Sequence, residues 1–241
     1  MRLLAFESSA KAAGVAVLED GRLLAEYFQN SGQTHSRTLM QMAEDLLKNC
    51  DLTCADVDAC AVSNGPGSFT GVRIGAAAAK GFCWGREIPL YGVSTLEAMA
   101  RASGLLSGVV CCCMDARREQ VYNAVFSVEA GKFLRRSEDR AISLEALGAE
   151  LKNLEKPVFL VGDGAELCYN TLRVSIPALC LLPEQLRSQR ASGVALAAQA
   201  KIDAGEKGSG LELVPSYLRL SQAERARMER IRTEQENMGS K

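Results

Sequence analysis

One glycine-rich segment, residues 64–75, has the composition of a turn that could bind a ligand. It reads Asn-Gly-Pro-Gly-Ser-Phe-Thr-Gly-Val-Arg-Ile-Gly and lies between a short apolar run and an alanine-rich stretch. Glycine lets another backbone approach closely, and Ser68 or Thr70 can cap a following helix, whose start suits an anion. The segment lacks the lysine of a P-loop and the glycine spacing of a dinucleotide site. A structural turn that packs the helix on a sheet therefore remains an alternative.

Histidine and cysteine offer little metal or acid-base chemistry. The single histidine, His35, opens a predicted helix, where a capping or packing role is commoner than general-base catalysis. The nine cysteines include the run Cys111–Cys113 but no Cys-x-x-Cys pair of the kind that binds zinc. We therefore interpret the cysteines as buried thiols and expect no metal site.

The overall composition predicts a folded protein that does not bind nucleic acid by itself. Hydrophobic residues make up 47% of 241 residues, and 28 Lys and Arg face 29 Asp and Glu, for a net charge of −1. Binding to phosphates requires a basic excess, so any RNA role would be shared with a partner. The longest apolar stretch, Gly104–Met114, is too short for a membrane span, and the N-terminus lacks a signal-peptide pattern. We expect a cytoplasmic protein without a membrane partner.

The elements around the glycine-rich segment follow the order βββαβαβα. The residue patterns predict strands at Leu3–Phe6, Gly14–Leu18, Arg22–Phe28, Asp58–Ser63 and Leu90–Val93, and helices at Ser36–Leu47, Gly71–Trp84 and Thr95–Ser103. Thr34 is the candidate N-cap of the first helix.

The second half repeats this plan. It has predicted strands at Gly108–Met114, Gln120–Val128, Lys132–Ser137 and Val158–Val161, and helices at Leu144–Leu154 and Glu166–Leu172. Glu7 and Asp115 end the first strand of each half, and Asn64-Gly65 corresponds to Asp163-Gly164. Internal duplication would place a cleft between two facing sheets. Ser221–Lys241 mixes Glu and Arg at helical spacing and is predicted as a charged helical or frayed tail.

Six segments together resemble the TsaB (YeaZ) family, bacterial proteins of the tRNA threonylcarbamoyladenosine pathway. The glycine-rich segment carries the signature Gly-Pro-Gly-Ser-Phe-Thr-Gly-Val-Arg-Ile-Gly. The other matches are Phe6–Ser9, His35–Arg37, Gly92–Ala98, Met114–Tyr122 and Pro215–Arg219. The resemblance implies an actin-like ATPase (ASKHA) architecture, with ribonuclease-H-like βββαβα subdomains at 1–103 and 104–220 and mixed sheets.

The family resemblance also implies partners. Members pair with the catalytic paralogue TsaD, assemble further with the ATPase TsaE, and help to transfer threonylcarbamoyl to the adenosine adjacent to the tRNA anticodon. In such a complex TsaD performs the chemistry, and the family member contacts tRNA only as part of the complex. The chain alone can form a homodimer.

A catalytic role is disfavoured by two substitutions. TsaD carries two histidines four residues apart on the helix that follows the segment Gly92–Ala98, where they bind a metal. This chain has Thr95 and Met99 at those positions, and neither is a good ligand for such a metal. We expect no catalytic residue, metal or cofactor.

A weak nucleotide site remains an alternative, as does a weak ATPase or phosphotransferase activity. In actin-like ATPases two turns hold phosphates, and a glycine-rich turn holds adenosine. The corresponding residues here are Ser8, Ser9, Asp115, Gly162 and Gly164. Glu7 and Asp115 are expected to face each other across the cleft and to repel.

Two helices are the predicted partner interface. The first is apolar around more than one stripe, which suits a helix that packs on its own sheet and on a partner. The resemblance implies a four-helix contact with TsaD or with a second copy. The predicted contact residues are Leu39, Met40, Ala43, Leu46, Leu47, Ile74, Ala78 and Phe82. Ordinary core helices are the alternative.

Overall fold

The first half of the protein is a mixed five-stranded sheet. The computed structural model describes residues 1–154 and 156–219, so the predicted tail Ser221–Lys241 lies outside the described residues. The strands are β1 (Arg2–Glu7), β2 (Ala13–Glu19), β3 (Arg22–Gln29), β4 (Ala59–Ser63) and β5 (Leu90–Val93). They lie in the order β3-β2-β1-β4-β5, in which β1 pairs antiparallel with β2 and parallel with β4.

A second sheet repeats this order. Its strands are β6 (Ser107–Asp115), β7 (Gln120–Glu129), β8 (Lys132–Arg135), β9 (Arg140–Ser143), β10 (Val158–Val161) and β11 (Leu179–Leu181). The order β8-β7-β6-β10-β11 matches that of the first sheet strand for strand, and β9 pairs with β7 beyond this set. The predicted duplication is therefore confirmed at the level of topology.

Seven α-helices cover the two sheets within the described residues. They are α1 (His35–Asn49), α2 (Phe69–Cys83), α3 (Thr95–Ala102), α4 (Leu144–Leu151), α5 (Ala165–Leu172), α6 (Glu184–Arg187) and α7 (Ala191–Asp203). Every helix and strand predicted within residues 1–154 and 156–219 is present, with ends that move by a few residues. Ser68, not Thr70, caps α2, while Thr34 occupies the N-cap of α1 without a side-chain cap bond. Strands β9 and β11 and helices α6 and α7 were not predicted from the sequence.

The helices form layers on either side of the sheets. Helices α1 and α2 cover the outer face of the first sheet, and α4 and α5 cover one face of the second. Between the sheets, α7 packs on the first and α3 on the second. The two inner helices are in close contact. A side chain added at Gly193 on α7 would overlap the carbonyl of Ala98 on α3. Helix α7 follows the second sheet in the chain, although it packs on the first sheet. The predicted division into two subdomains at residue 103 therefore stays a prediction.

Most cysteines are buried, as expected, but not all. The nine thiols are free; Cys54 and Cys180 are exposed, and Cys50 is half-buried. For these three the interpretation as buried thiols is wrong, since Cys54 and Cys180 lie in short surface elements. Among the described residues, no helix combines the length and the apolar character needed to cross a bilayer.

Candidate functional site

A cleft of about 780 Å³ opens between the carboxyl ends of β1 and β6. Parallel strands of facing sheets direct their carboxyl ends, and the loops that follow, toward such a cleft. Its lining comprises Ser9, Ala10, Lys11, Gly67, Ser68, Phe69, Thr70, Met114, Asp115, Ala116, Arg117, Tyr122, Asp163 and Arg219.

The glycines of segment 64–75 are explained by close backbone packing. An added side chain at Gly67 would overlap the carbonyl of Ser9, and one at Gly71 would overlap the carbonyl of Ser8. The amide of Ser68 donates to the Ser9 carbonyl at 2.7 Å. The turn after β1 and the start of α2 therefore interlock. This favours the structural alternative for the glycines, while Ser68 and Thr70 still line the cleft.

Ser8 and Ser9, the two predicted nucleotide-site residues after β1, lie in different surroundings. Ser8 is fully buried and donates from Oγ to the carbonyl of Gly71 at 2.9 Å, so it holds α2 and does not line the cleft. Ser9 does line the cleft. The nucleotide-site prediction for Ser8 therefore needs correction, because its hydroxyl is occupied by the helix.

Glu7 does not face Asp115 across the cleft. It is fully buried and accepts a 2.6 Å hydrogen bond from the amide of Ser9 at Oε1, while Oε2 has no partner among the described residues. Burial raises the pKa of the Glu7 carboxyl. The expected repulsion with Asp115 is wrong, since one carboxyl lies in the core and the other in the open cleft.

The turn after β6 is exposed and has an unusual backbone. Arg117, Arg118 and Glu119 have φ values of 62°, 54° and 56°, three successive non-glycine residues in the left-handed region. The amide of Arg117 donates to Asp115 Oδ1 at 2.7 Å and holds the turn. Such conformations cost free energy and concentrate at ligand sites.

Gly162 and Gly164 pack against protein. A side chain at Gly162 would overlap the Cys113 carbonyl and the methyl of Met99, and one at Gly164 would lie 2.9 Å from the amide nitrogen of Asp115. These glycines serve the contact between the β10–α5 loop and β6. The prediction that they form an adenosine turn is not supported by their surroundings, because the faces that lack a side chain are already filled.

Sequence reasoning missed Asp163 and Arg219 as cleft residues. Asp163 is exposed to the cleft. The protein around it nevertheless partly desolvates its carboxyl group, and this desolvation raises the carboxyl pKa. Gln189 donates to Asp163 Oδ1 at 2.8 Å. The pairing of Asn64-Gly65 with Asp163-Gly164 was the signal that could have indicated Asp163. Arg219 donates to the carbonyl of Ala116.

The positions that would hold a metal in TsaD do not fit one here. Thr95 is fully buried and Met99 is nearly so, with the Met99 methyl against Gly162. In residues 1–154 and 156–219, no three His, Cys, Asp or Glu side chains are grouped to hold a metal. Glu97 binds Arg101 and Arg135 at 2.9 and 3.2 Å and so links α3 to β8.

His35 joins the start of α1 to the turn after β1. Its Nε2 lies 2.8 Å from the carbonyl oxygen of Ala10, and the side chain is half-buried. This contact agrees with the packing role predicted for a lone histidine at a helix start.

Two of the family-like segments meet at the cleft. The rings of Phe69 and Tyr217 stack with centroids 4.4 Å apart and an 11° angle between their planes. Arg73 Nε donates to the Tyr217 hydroxyl at 2.8 Å, and the Ser216 amide donates to the Asn64 carbonyl at 2.6 Å. The chain before residue 219 is thereby fixed to the start of α2.

The predicted interface residues divide into two groups. Five of them pack in the core of the first half and are at most 9% exposed: Leu39, Ala43, Leu46, Leu47 and Phe82. For these five the alternative of ordinary core residues holds in this conformation. Met40 is 45% exposed, and Ile74 and Ala78 are half-buried at the edge of the same cluster. Ala77 and Gly81 add small exposed positions on α2.

Comparison with known proteins identifies relatives along most of the chain. Residues 23–227 match the family model described as TsaD, tRNA N6-adenosine threonylcarbamoyltransferase. A Bacillus subtilis protein named tRNA threonylcarbamoyladenosine biosynthesis protein TsaB is 32% identical over 225 residues, which cover 93% of this chain and 96% of that protein. The Escherichia coli protein of the same name is 34% identical over 167 residues, covering 68% of this chain and 72% of that protein.

A solved structure has the same fold. The YeaZ protein from Pseudomonas aeruginosa superimposes with a TM-score of 0.70 at 25% identity, covering 90% of this chain and 99% of that one. The similarity therefore extends over both sheets.

Proposed function

Because this chain belongs to the TsaB (YeaZ) family and also matches the TsaD family model, we propose that it is a non-catalytic subunit that binds and stabilises TsaD. The chain takes part in tRNA threonylcarbamoyladenosine biosynthesis and has the fold of the actin-like ATPases. In this proposal TsaD transfers threonylcarbamoyl to the adenosine adjacent to the tRNA anticodon. TsaE joins the larger complex, and tRNA is bound by the complex as a whole.

The observation that carries the proposal concerns the two positions at which TsaD has its metal-binding histidines. Thr95 and Met99 are both buried, and the thioether of Met99 packs against the β10–α5 loop. A buried hydroxyl and a soft thioether cannot replace two imidazoles at a hard or borderline metal ion. In this proposal the chemistry comes from a partner that has those histidines.

The outer surface of α1 and α2 supports the choice of contact face. Met40 is exposed on α1, and Ala77 and Gly81 are exposed on α2, where nothing lies within 4 Å of a side chain added at Gly81. Small residues let a partner helix approach closely, and a methionine adapts to its surface. We assign the TsaD contact to Met40, Ile74, Ala77 and Ala78, with the five buried residues supporting the helices from below.

Co-purification and a modification assay test the proposal together. TsaD is expressed with and without the full-length chain, and threonylcarbamoyladenosine is measured in unmodified tRNA after incubation with TsaE, ATP and the threonylcarbamoyl adenylate. We expect a stable complex and modification that requires the chain. Full modification by TsaD and TsaE alone, or no complex, would contradict the proposal.

A weak ATPase or phosphotransferase activity is the second candidate, because Ser9 and Asp115 line the cleft. It predicts magnesium-dependent ATP turnover by the isolated chain that is lost in Asp115→Ala. The packed faces of Gly162 and Gly164 weigh against it, since an adenosine would have no open glycine turn. Absence of turnover above background would end this candidate.

A homodimer through α1 and α2 is the state proposed for the chain alone. Sedimentation of the purified chain with and without TsaD tests it. We expect self-association that TsaD displaces, whereas a homodimer that persists with excess TsaD would make self-association the functional state.

A further inference from the structure

The mouth of the cleft carries positive charge from both of its walls. Lys11 follows β1, Arg117 and Arg118 follow β6, and all three side chains are exposed. Arg219 adds a fourth cationic group to the lining. Within the part of the chain that the structure describes, no carboxylate lies within 4.0 Å of any of these four cationic groups.

The cleft also carries negative charge where the strands end. Asp115 is the last residue of β6, Asp163 lies two residues after β10, and both line the same cleft. A phosphate placed deep in the cleft would meet these carboxylates, whereas one placed across the mouth would meet Lys11 and Arg117. The charge distribution therefore favours phosphates that stay at the rim.

A free nucleotide fits this arrangement less well than a nucleic acid strand. A bound nucleotide needs a pocket for its base, and the glycine faces at Gly162 and Gly164 are filled by β6. A strand carries one phosphate per nucleotide along its length, so it can contact cations on both walls without entering the cleft.

We propose that Lys11, Arg117 and Arg118, with Arg219, form a binding surface for the phosphate backbone of an RNA strand. The inference rests on the proposed function only in taking tRNA as the RNA. It refines the expectation drawn from the net charge of −1, because the sum over the chain conceals a local excess at one edge. Backbone contacts of this kind position an RNA without reading its sequence.

A matched pair of double variants tests the surface. Lys11→Gln/Arg117→Gln removes one lysine and one arginine from the rim. Arg22→Gln/Lys132→Gln removes the same two types from exposed sites at the opposite ends of the sheets, where Arg22 lies opposite Glu19 and Lys132 opposite Glu129 in the strand register. Thermal unfolding of all three proteins checks that each is folded.

Binding of fluorescent unmodified tRNA is measured by anisotropy over a series of salt concentrations, for the complex with TsaD and for the isolated chain. The rim variant is expected to bind about tenfold more weakly at ~0.1 M salt, with a slope of log affinity against log salt shallower by about 1.4 to 1.8. The control variant is expected to stay within about twofold of the unchanged chain.

Three results would overturn the inference: an equal loss in the two double variants, an unchanged salt slope in the rim variant, or saturable ATP binding to the isolated chain that the rim variant loses while tRNA binding remains. The last result would identify a free-nucleotide site. Failure of the unchanged chain to bind TsaD would count against the proposed function alone, and the titration of the isolated chain would then decide.

Discussion

The two halves of the protein share a topology but present different surfaces. In the first half Ser8 and Ser9, at the start of the turn after β1, are buried and interlocked with α2, and the outer helices α1 and α2 have 15 residues each. In the second half the turn after β6 is exposed and left-handed, and the equivalent helices α4 and α5 have 8 residues each. Duplication therefore accounts for the shared core, while helix length distinguishes the half that carries the proposed partner face, and the exposed turn after β6 supplies two of the four cationic groups at the cleft.

The largest expected effects come from one glycine in each half that packs directly against backbone. Gly71→Ala would overlap the Ser8 carbonyl, and Gly162→Ala would overlap the Cys113 carbonyl while holding a φ of +110°. Because backbone cannot move aside cheaply, each change should lower the free energy of unfolding by about 3 kcal/mol. Urea denaturation measures it.

Gly81→Ala is the matched control for that pair, since Gly81 lies on α2 in open space. Its added methyl should stabilise the helix by about 0.5 kcal/mol. If the free energy of unfolding of Gly71→Ala or Gly162→Ala lies within about 0.5 kcal/mol of that of the unchanged chain, the glycine in that half is not held against backbone as described.

The next effect separates the halves by partner binding. Met40→Glu places a charge on the exposed face of α1 and should weaken TsaD binding at least about tenfold, or ~1.4 kcal/mol, because the charge loses water in the contact. Calorimetric titration measures the affinity. Val174→Glu, in the second half and 88% exposed, should leave it unchanged. Equal losses in both would show that α1 does not form the contact.

A third prediction concerns the buried carboxyl of the first half. The pKa of Glu7 is raised in the folded state by burial, so the folded protein holds a proton that the unfolded chain releases. Stability should therefore fall as pH rises from the unfolded pKa of about 4.5 through the folded value. Each pKa unit is worth about 1.4 kcal/mol. Glu7→Gln should flatten this dependence and be the more stable protein at neutral pH.

Unfolding midpoints of the unchanged chain and of Glu7→Gln are compared from about pH 4 to 8, starting near the pKa of the unfolded chain. Asp115→Asn provides the control, because Asp115 lies open in the cleft of the second half and not in the core. If the curves of the unchanged chain and of the Glu7→Gln variant run parallel, the carboxyl is not protonated on folding.

Sequence reasoning recovered the strands and outer helices because their apolar residues alternate or recur with a clear period. It missed α7 because this helix is apolar on nearly every side, and a helix buried between two sheets has no polar face to reveal its period. It also placed Leu39, Leu46 and Leu47 at a partner interface, whereas in the structure they pack in the core of the first half. Apolar spacing alone does not distinguish residues that face a protein's own core from those that face a partner.

The cleft was anticipated from duplication, but its lining was not. Ser9 was found because it follows β1 and Asp115 because it ends β6, whereas Asp163 and Arg219 reach the cleft through loops whose path cannot be derived from the residue pattern. The glycines at 162 and 164 were assigned to a ligand because the same residue type serves close packing and ligand approach. Only the identity of the neighbouring atoms separates the two roles.

The smallest expected effect tests how firmly the halves are joined. Glu97 on α3 and Arg135 on β8 are 3.2 Å apart and 24% and 26% exposed, so their attraction is only partly screened by water. A double-mutant cycle with Glu97→Gln and Arg135→Gln, read by urea denaturation, should give a coupling of about 1 kcal/mol. The cycle cancels the separate bonds of Glu97 to Arg101 and of Arg135 to Asp139.

The control is the pair Glu129–Lys156, which lies within the second half and is 73% and 51% exposed. Its coupling should be about 0.3 kcal/mol. Equal couplings would mean that the bridge between α3 and β8 adds nothing beyond a surface ion pair, and the packing of α3 against α7 would then be what joins the two halves.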